Sequence, residues 1–434
     1  MERILSLNEQ AEMSSIMWAE KILSIYPTTT KAIYLSNYGF KAFPSLAKYT
    51  NLEILSITDN SLTELPELPP SLKVLYCGNG CSQSKGSKGN NRIKDFSKLP
   101  EGLKVLSCSN SKLTHLGELP IKLQQLIADD NLLSSLPVLP STLTHLEVTR
   151  NCLERLPELP ESLEILRAEN NLLTELPDFP HGIKVINVRI NNLVSIPELP
   201  TSLSMLDVGC TNITHLPELP DGLRNFLCDN TPNLYELPNF SKTLIYIDVS
   251  ANPLLTSFPR FPDNIETFTA NNCIGITELP NINHCHYLQD LNVSNCSITR
   301  LPQLPNTIEY LDVEGNPIYI MKNIPEALNP MESSIEGIPI FKEVLYTDEH
   351  EFDDYYRFEL AREKLNTLNR FREFRYETMF KEKLRNWLWL KVRLPRIERV
   401  NHPDRLREAL ENSDSEDELI NAVETFATST NHSL

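Results

Sequence analysis

Apolar positions along this chain recur about every twenty residues. In residues 143–160, LTHLEVTRNCLERLPELP, the residues Leu143, Leu146, Val148, Asn151, Leu153 and Leu156 trace L-x-x-L-x-L-x-x-N-x-L-x-x-L, closed by Pro157-Glu158-Leu159-Pro160. Equivalent units begin at Leu52, Leu72, Leu103, Leu123, Leu163, Ile183, Leu203, Leu223, Leu244, Ile265, Leu288 and Ile308, which with Leu143 makes thirteen. An imperfect unit at Ala32, Leu35, Phe40 and Phe43-Pro44 precedes them. Alternation about the second and third apolar positions predicts one short strand per unit, with every other side chain turned inward. A single unit cannot cover that inward face, whereas stacked neighbours can, so the pattern predicts a solenoid. At about 4.8 Å between strands, thirteen units make a concave face about 60 Å long.

Polar positions repeat in the same register. Asparagines at 60, 131, 151, 171, 191, 252 and 316 fall where the chain leaves each strand, with Thr211 and Thr231 as partial substitutes. An amide side chain can both donate to and accept from backbone groups that a curved coil leaves unpaired, so these residues are read as a structural ladder. The opposite side of each unit carries ELP or LPELP. Proline fixes φ and cannot sit in a helix interior, so the convex side should be extended, close to polyproline II. Of 31 prolines, 26 lie from Pro44 to Pro325 and so belong to the repeat.

The unit resembles the leucine-rich repeat, and LPELP closures resemble the subfamily found in bacterial effector proteins, over residues ~50–320. The resemblance implies a leucine-rich-repeat solenoid with parallel β-strands on the concave face and an extended, polyproline-like convex side, and apolar spacing beyond it reads as a C-terminal α-helical region. The implied organisation is an N-terminal helical cap over 1–28, a solenoid over 29–325, a linker over 326–354 and a helical region over 355–434. An apolar stripe between Ile16 and Leu23, stopped at Pro27, supports the cap. Phe358, Leu365, Leu368, Phe371, Phe374, Leu384, Trp387 and Leu388 give the three-and-four spacing of a helix from about Tyr355 to Val392. Effectors of this kind often carry a ubiquitin ligase domain with a catalytic cysteine. That activity is not expected here, because Cys296 is the last cysteine in the sequence.

A second resemblance lies in W387-L-W-L-K-V-R-L-P-R-I-E-R-V-N-H-P-D-R-L406. It looks like the tail of many proteins of giant nucleocytoplasmic DNA viruses, with Asn401 where tyrosine is commoner. This implies a viral protein in the host cytoplasm or another intracellular compartment, with a place in the virion as an alternative. From Arg357 to Arg407 there are 15 basic and 7 acidic residues, an excess of 15 − 7 = +8 within a chain of net charge −18.

Charge and chemistry then narrow the function. A net −18 disfavours binding nucleic acid by bulk charge, and no apolar run long enough for a membrane span or a signal peptide is present. The nine cysteines follow the repeat: Cys77, Cys108 and Cys228 stand at the Val148 position, Cys273 and Cys296 at the asparagine position, so free structural thiols are expected. Residues 78–91, GNGCSQSKGSKGNN, form a polar insertion lacking the G-x-x-x-x-G-K-[ST] register of a phosphate loop. His284-Cys285-His286 lacks zinc-ligand spacing and reads as a turn. No catalytic constellation or cofactor site is found, and a non-catalytic protein-interaction module is expected, with a structural or virion component as the alternative.

The candidate surface is the concave face. Arg150, Arg167, Lys184 and Arg189 read as a basic island flanked by Glu147 and Glu169. Beyond it stand Asp207, Asp229, Asp248 and Asp312, with Tyr246 and Tyr310 as aromatic anchors for a protein partner.

Overall fold

The computed structural model of the protein describes residues 7–80, 90–94, 96, 98–329, 333–334, 362–367 and 369. Helix α1 spans Leu7–Leu23. Fourteen three-residue strands follow: β1 Ala32–Tyr34, β2 Ile54–Ser56, β3 Val74–Tyr76, β4 Val105–Ser107, β5 Gln125–Ile127, β6 His145–Glu147 and β7 Ile165–Arg167. The array continues with β8 Val185–Asn187, β9 Met205–Asp207, β10 Asn225–Leu227, β11 Tyr246–Asp248, β12 Thr267–Thr269, β13 Asp290–Asn292 and β14 Tyr310–Asp312. They form one sheet in sequence order, and every neighbouring pair is parallel and in register. The fourteen strands match the thirteen units and the imperfect first one.

The middle residue of every strand points inward and is buried, from Ile33 to Leu311. The first and third apolar positions, such as Leu143 and Val148, are buried with it, so each coil is filled by its own leucines and its neighbours'. After most strands the chain turns sharply through a left-handed residue just ahead of the asparagine position. Asp130, Arg150, Asn170, Ile190 and Cys210 all have φ of 53–54°. The convex LPELP segments carry neither helix nor strand, as their prolines require. A β-turn then closes each coil, with the Leu163 amide donating to the Pro160 carbonyl at 2.9 Å.

The asparagine ladder is present and more connected than the sequence suggests. Asn171 Nδ2 donates to the carbonyls of Ala168 in its own coil (3.1 Å) and of Val148 in the preceding one (3.0 Å). Its Oδ1 accepts the Leu153 amide at 3.0 Å. Asn151 also donates to the Val148 carbonyl (3.0 Å), so one carbonyl serves two rungs. Cys273 and Cys296 keep the backward bond: each thiol donates at 3.2 Å, to the Val249 and Ala270 carbonyls respectively, and the Cys296 thiol also lies 3.6 Å from the Ser294 carbonyl of its own coil. Thr211 keeps only the local bond, to the Val208 carbonyl at 2.8 Å.

Asn91 belongs to this ladder although it stands eleven residues late, beyond the insertion. Its amide donates to the Ile57 and Cys77 carbonyls (2.8 and 2.9 Å) and its oxygen accepts the Leu62 amide. The insertion therefore leaves and rejoins the array between a strand and its asparagine. Residues 81–89, most of the polar insertion, lie outside the described residues.

A second ladder runs along the turn that enters each strand. Thr142, Ser162, Ser202 and Thr307 each donate a hydroxyl to the leucine or isoleucine carbonyl one coil back, at 2.6–2.8 Å. Its signal in the sequence is a serine or threonine immediately before the first apolar residue of several units.

Both ends of the array are covered by described residues. Ala19 and Leu23 of α1 are fully buried, and Tyr49 donates its hydroxyl to the Leu23 carbonyl at 2.8 Å. At the other end residues 362–367 are helical and Leu365 is buried. Arg362 donates to the Pro325 carbonyl (2.8 Å) and Asn369 to those of Met321 and Lys322 (2.7 and 2.9 Å). The rest of the expected helix over Tyr355–Val392, and the tail motif at 387–406, lie outside the described residues.

Candidate functional site

Three columns of side chains line the concave face: the first and last residues of each strand and the residue two further on. Glu147 and Arg167 end β6 and β7 and pair across the rungs at 3.8 Å. Glu169 and Arg189 lie in the third column, and Asn187 donates to Glu169 at 3.4 Å. Asp207 and Asp248 end β9 and β11, Tyr246 starts β11, and Tyr310 and Asp312 bound β14. Asp229 stands two residues beyond β10.

The basic island does not survive as a positive patch. Lys184 precedes β8 and pairs with Glu164 at 2.8 Å. Arg150 is off the sheet, at the left-handed turn, where it forms a two-pronged pair with Asp130 (Nη2 to Oδ2, 2.6 Å). Arg189 reaches over two rungs to Asp229 (Nη2 to Oδ2, 2.6 Å) and lies 3.7 Å from Asp207. The physical reason is the one-rung spacing: an acid in the adjacent coil sits within reach of every long cation, so opposite charges pair. Gly209 makes the long reach of Arg189 open, because a Cβ there would meet both its guanidinium and, at 2.6 Å, the Asp229 carboxylate.

Burial at the face also changes its electrostatics. Asp207 is only 5% exposed, and burial pushes its carboxyl up to about 6 against the opposing pull of the Gly209 amide and Arg189. Asp129, which sequence reasoning passed over, is also pushed up to about 6 by burial, while the Thr149 amide bonded to it acts the other way. Burial and then neighbouring carboxylates raise the phenols of Tyr246 and Tyr310.

The face is divided along its length; the acidic run beyond Asp207 was read from the sequence, whereas the uncharged stretch before β6 was not. From β1 to β5 the two in-strand columns read Ala32, Tyr34, Ile54, Ser56, Val74, Tyr76, Val105, Ser107, Gln125 and Ile127, with no charge among them. Tyr34 is 58% and Tyr76 38% exposed. From β9 to β14 the three columns carry acids and no lysine or arginine. Its signal is readable only when residues are sorted by column, because the net charge of each unit conceals it.

Metal-ligand chemistry is not assembled among the described residues: no group of three or more His, Cys, Asp or Glu is placed to hold an ion. His284-Cys285-His286 is a turn, as expected, with Cys285 buried and His284 Nε2 donating to the Phe261 carbonyl at 2.9 Å. The eight described cysteines are free thiols. No described helix is long and apolar enough to cross a membrane.

No family profile matches the chain and no curated sequence matches it. Solved structures do. YopM, a leucine-rich effector protein from Yersinia pestis, is 30% identical over 75% of this chain and 92% of its own, with a TM-score of 0.57. YopM from Yersinia enterocolitica is 28% identical over 70% of this chain and 78% of its own, with a TM-score of 0.51. The functional domain of InlJ from Listeria monocytogenes, which includes a cysteine ladder, shares the fold at 20% identity and a TM-score of 0.53, over 68% of this chain and 69% of its own. The matches to the two Yersinia proteins support the non-catalytic, protein-interaction class that such a solenoid typifies. The match to the Yersinia pestis effector shows that the chain belongs to the leucine-rich-repeat family of which YopM is a member.

Proposed function

We propose that this protein binds another protein through the concave columns of β6–β14, with Glu147, Arg167, Glu169, Asp207, Asp248 and Asp312 among the contacts. The observation that carries the reading is the concave sheet itself, a rigid surface whose outward side chains over β6–β14 are varied and mostly polar while the inward ones are uniform. Rigidity lowers the ordering cost of association, which favours such a surface as a recognition scaffold. Helix α1 and residues 362–367 serve in this reading as caps that keep the ends of the array from exposing core. A viral origin is the finer part of the proposal and rests on the tail motif at 387–406 alone.

The test is capture of partners by the full chain, compared with the charge-reversed variant Arg167→Glu/Glu169→Lys and with the convex variant Glu158→Lys. The expected result is a partner retained by the convex variant and lost by the concave one. A partner retained by the concave variant and lost by the convex one overturns the proposal.

A further inference from the structure

Two stations on the acidic half of the concave face have the same chemistry in the same columns. Tyr246-Ile247-Asp248 forms β11 and Tyr310-Leu311-Asp312 forms β14. The strand register runs Tyr246 to Thr267 to Asp290 to Tyr310, and Asp248 to Thr269 to Asn292 to Asp312, so the stations superpose after three rungs. Each station sets a half-buried phenol ring beside a carboxylate on the other side of an inward-pointing aliphatic residue. A ring face next to a carboxylate attracts a cation twice, through the ring quadrupole and through a charge-assisted hydrogen bond.

These carboxylates are not spent within the described molecule. Asp248 accepts from the Ser250 amide and hydroxyl, Asp312 from the Glu314 amide, and Asp290 from the Thr267 hydroxyl. Among the described residues no ion pair involves any of them, whereas Arg189 already occupies Asp207 and Asp229. The negative field at the stations is also felt by the two phenols, which neighbouring carboxylates push up after burial.

We infer that the β11–β14 stretch of the concave face binds an extended polypeptide segment carrying two arginine-type cations four residues apart, one at each tyrosine–aspartate station. Geometry sets the spacing. Three rungs at about 4.8 Å separate the stations by about 14 Å, and in an extended chain side chains four residues apart on one face are about 13–14 Å apart. Arginine fits better than lysine, because its planar guanidinium stacks on a ring and forks to a carboxylate together. This rests on the proposed concave binding role and names the class of partner for one part of that face.

The test is fluorescence anisotropy of the full chain with labelled Gly/Ser nonapeptides holding two arginines, either four or two residues apart. The four-residue spacing should bind, and the two-residue spacing at least threefold more weakly. The double variant Asp248→Asn/Asp312→Asn keeps both side-chain acceptors and should weaken binding at least tenfold with an unchanged melting curve. Glu158→Gln/Glu198→Gln, which removes two convex charges, should leave it unchanged. Three results would each overturn the inference: no binding by the full chain, equal binding at both spacings, or equal losses from the two double variants. The last two would mark general attraction to an acidic protein. If the peptides fail while Arg167→Glu/Glu169→Lys still abolishes partner capture, this inference falls and the concave binding role stands.

Discussion

Shared carbonyls make the asparagine ladder unequal, and the inequality can be measured. Replacing Asn171 by alanine removes an acceptor for the Leu153 amide and a donor to the carbonyls of Val148 and Ala168. Both carbonyls keep a second asparagine: Asn151 still donates to Val148 and Asn191 to Ala168, each at 3.0 Å. One buried backbone group, the Leu153 amide, loses its partner. Asn191 differs because the next rung carries Thr211, whose hydroxyl reaches only its own Val208 carbonyl. Asn191→Ala therefore leaves both the Leu173 amide and the Val188 carbonyl without their asparagine bonds. An unmade buried hydrogen bond costs about 1–3 kcal/mol, so Asn171→Ala should cost about that much and Asn191→Ala roughly twice it. Urea unfolding of the two variants gives the comparison, and hydrogen exchange gives the mechanism: the Leu153 amide should exchange faster in the first, that of Leu173 in the second. Equal midpoints, or a larger loss for Asn171→Ala, would refute the shared-carbonyl accounting.

Other expectations follow from single contacts. Ile190 is a β-branched residue held at φ 54° where other coils place Asn170 and Asn230, so Ile190→Asn should raise stability by up to about 1 kcal/mol in thermal melts. The Asp129 carboxyl stands at about 6 against an ordinary 3.8; the native state thus holds its proton more tightly than the unfolded chain. Its contribution is greatest below the unfolded value and is lost as pH rises from about 4 to about 6. Asp129→Asn should flatten urea midpoints across that window and stabilise the protein at neutral pH, on the order of 1–2 kcal/mol. Gly209→Val should unseat Arg189 from Asp229 and lower the melting temperature, while Gly222→Val, a turn position crowded by the Thr201 carbonyl at 2.9 Å, serves as a comparison for backbone damage alone. Exposed Cys152 should react with a thiol reagent in the native protein, whereas Cys77, Cys108 and Cys228, fully buried with their pKa raised by burial, should react only on unfolding.

The architecture was legible because one spacing answers several physical needs together. A leucine at every third and fifth strand-side position, an asparagine at the exit and a proline on the return cannot all be satisfied by a helix or by an isolated hairpin. Cys273 and Cys296 were also readable, since a thiol can replace an amide where a single carbonyl needs a donor. Asn91 was not, because eleven inserted positions separate it from its register and only the returning backbone reveals it. The basic island failed for a related reason: sequence shows which column a cation leaves from but not which neighbouring coil its side chain crosses to. Arg189 spans two coils only because Gly209 leaves the intervening position open. The uncharged stretch from Tyr34 to Ile127 was visible in principle and hidden by reading charge unit by unit.

The even step of twenty residues from Leu103 to Leu223 has an evolutionary consequence. Within the run of Asn131 to Asn191 each coil presents the same donors and acceptors to the coil before and after it. Unequal recombination that gains or loses one whole coil there joins matching surfaces and leaves no backbone group stranded at the seam. The partner would register the event differently, since features on either side of the seam move apart or together by one strand spacing, about 4.8 Å. The fold is thus indifferent to an edit that its recognition surface measures, which lets a lineage retune reach without first solving a folding problem.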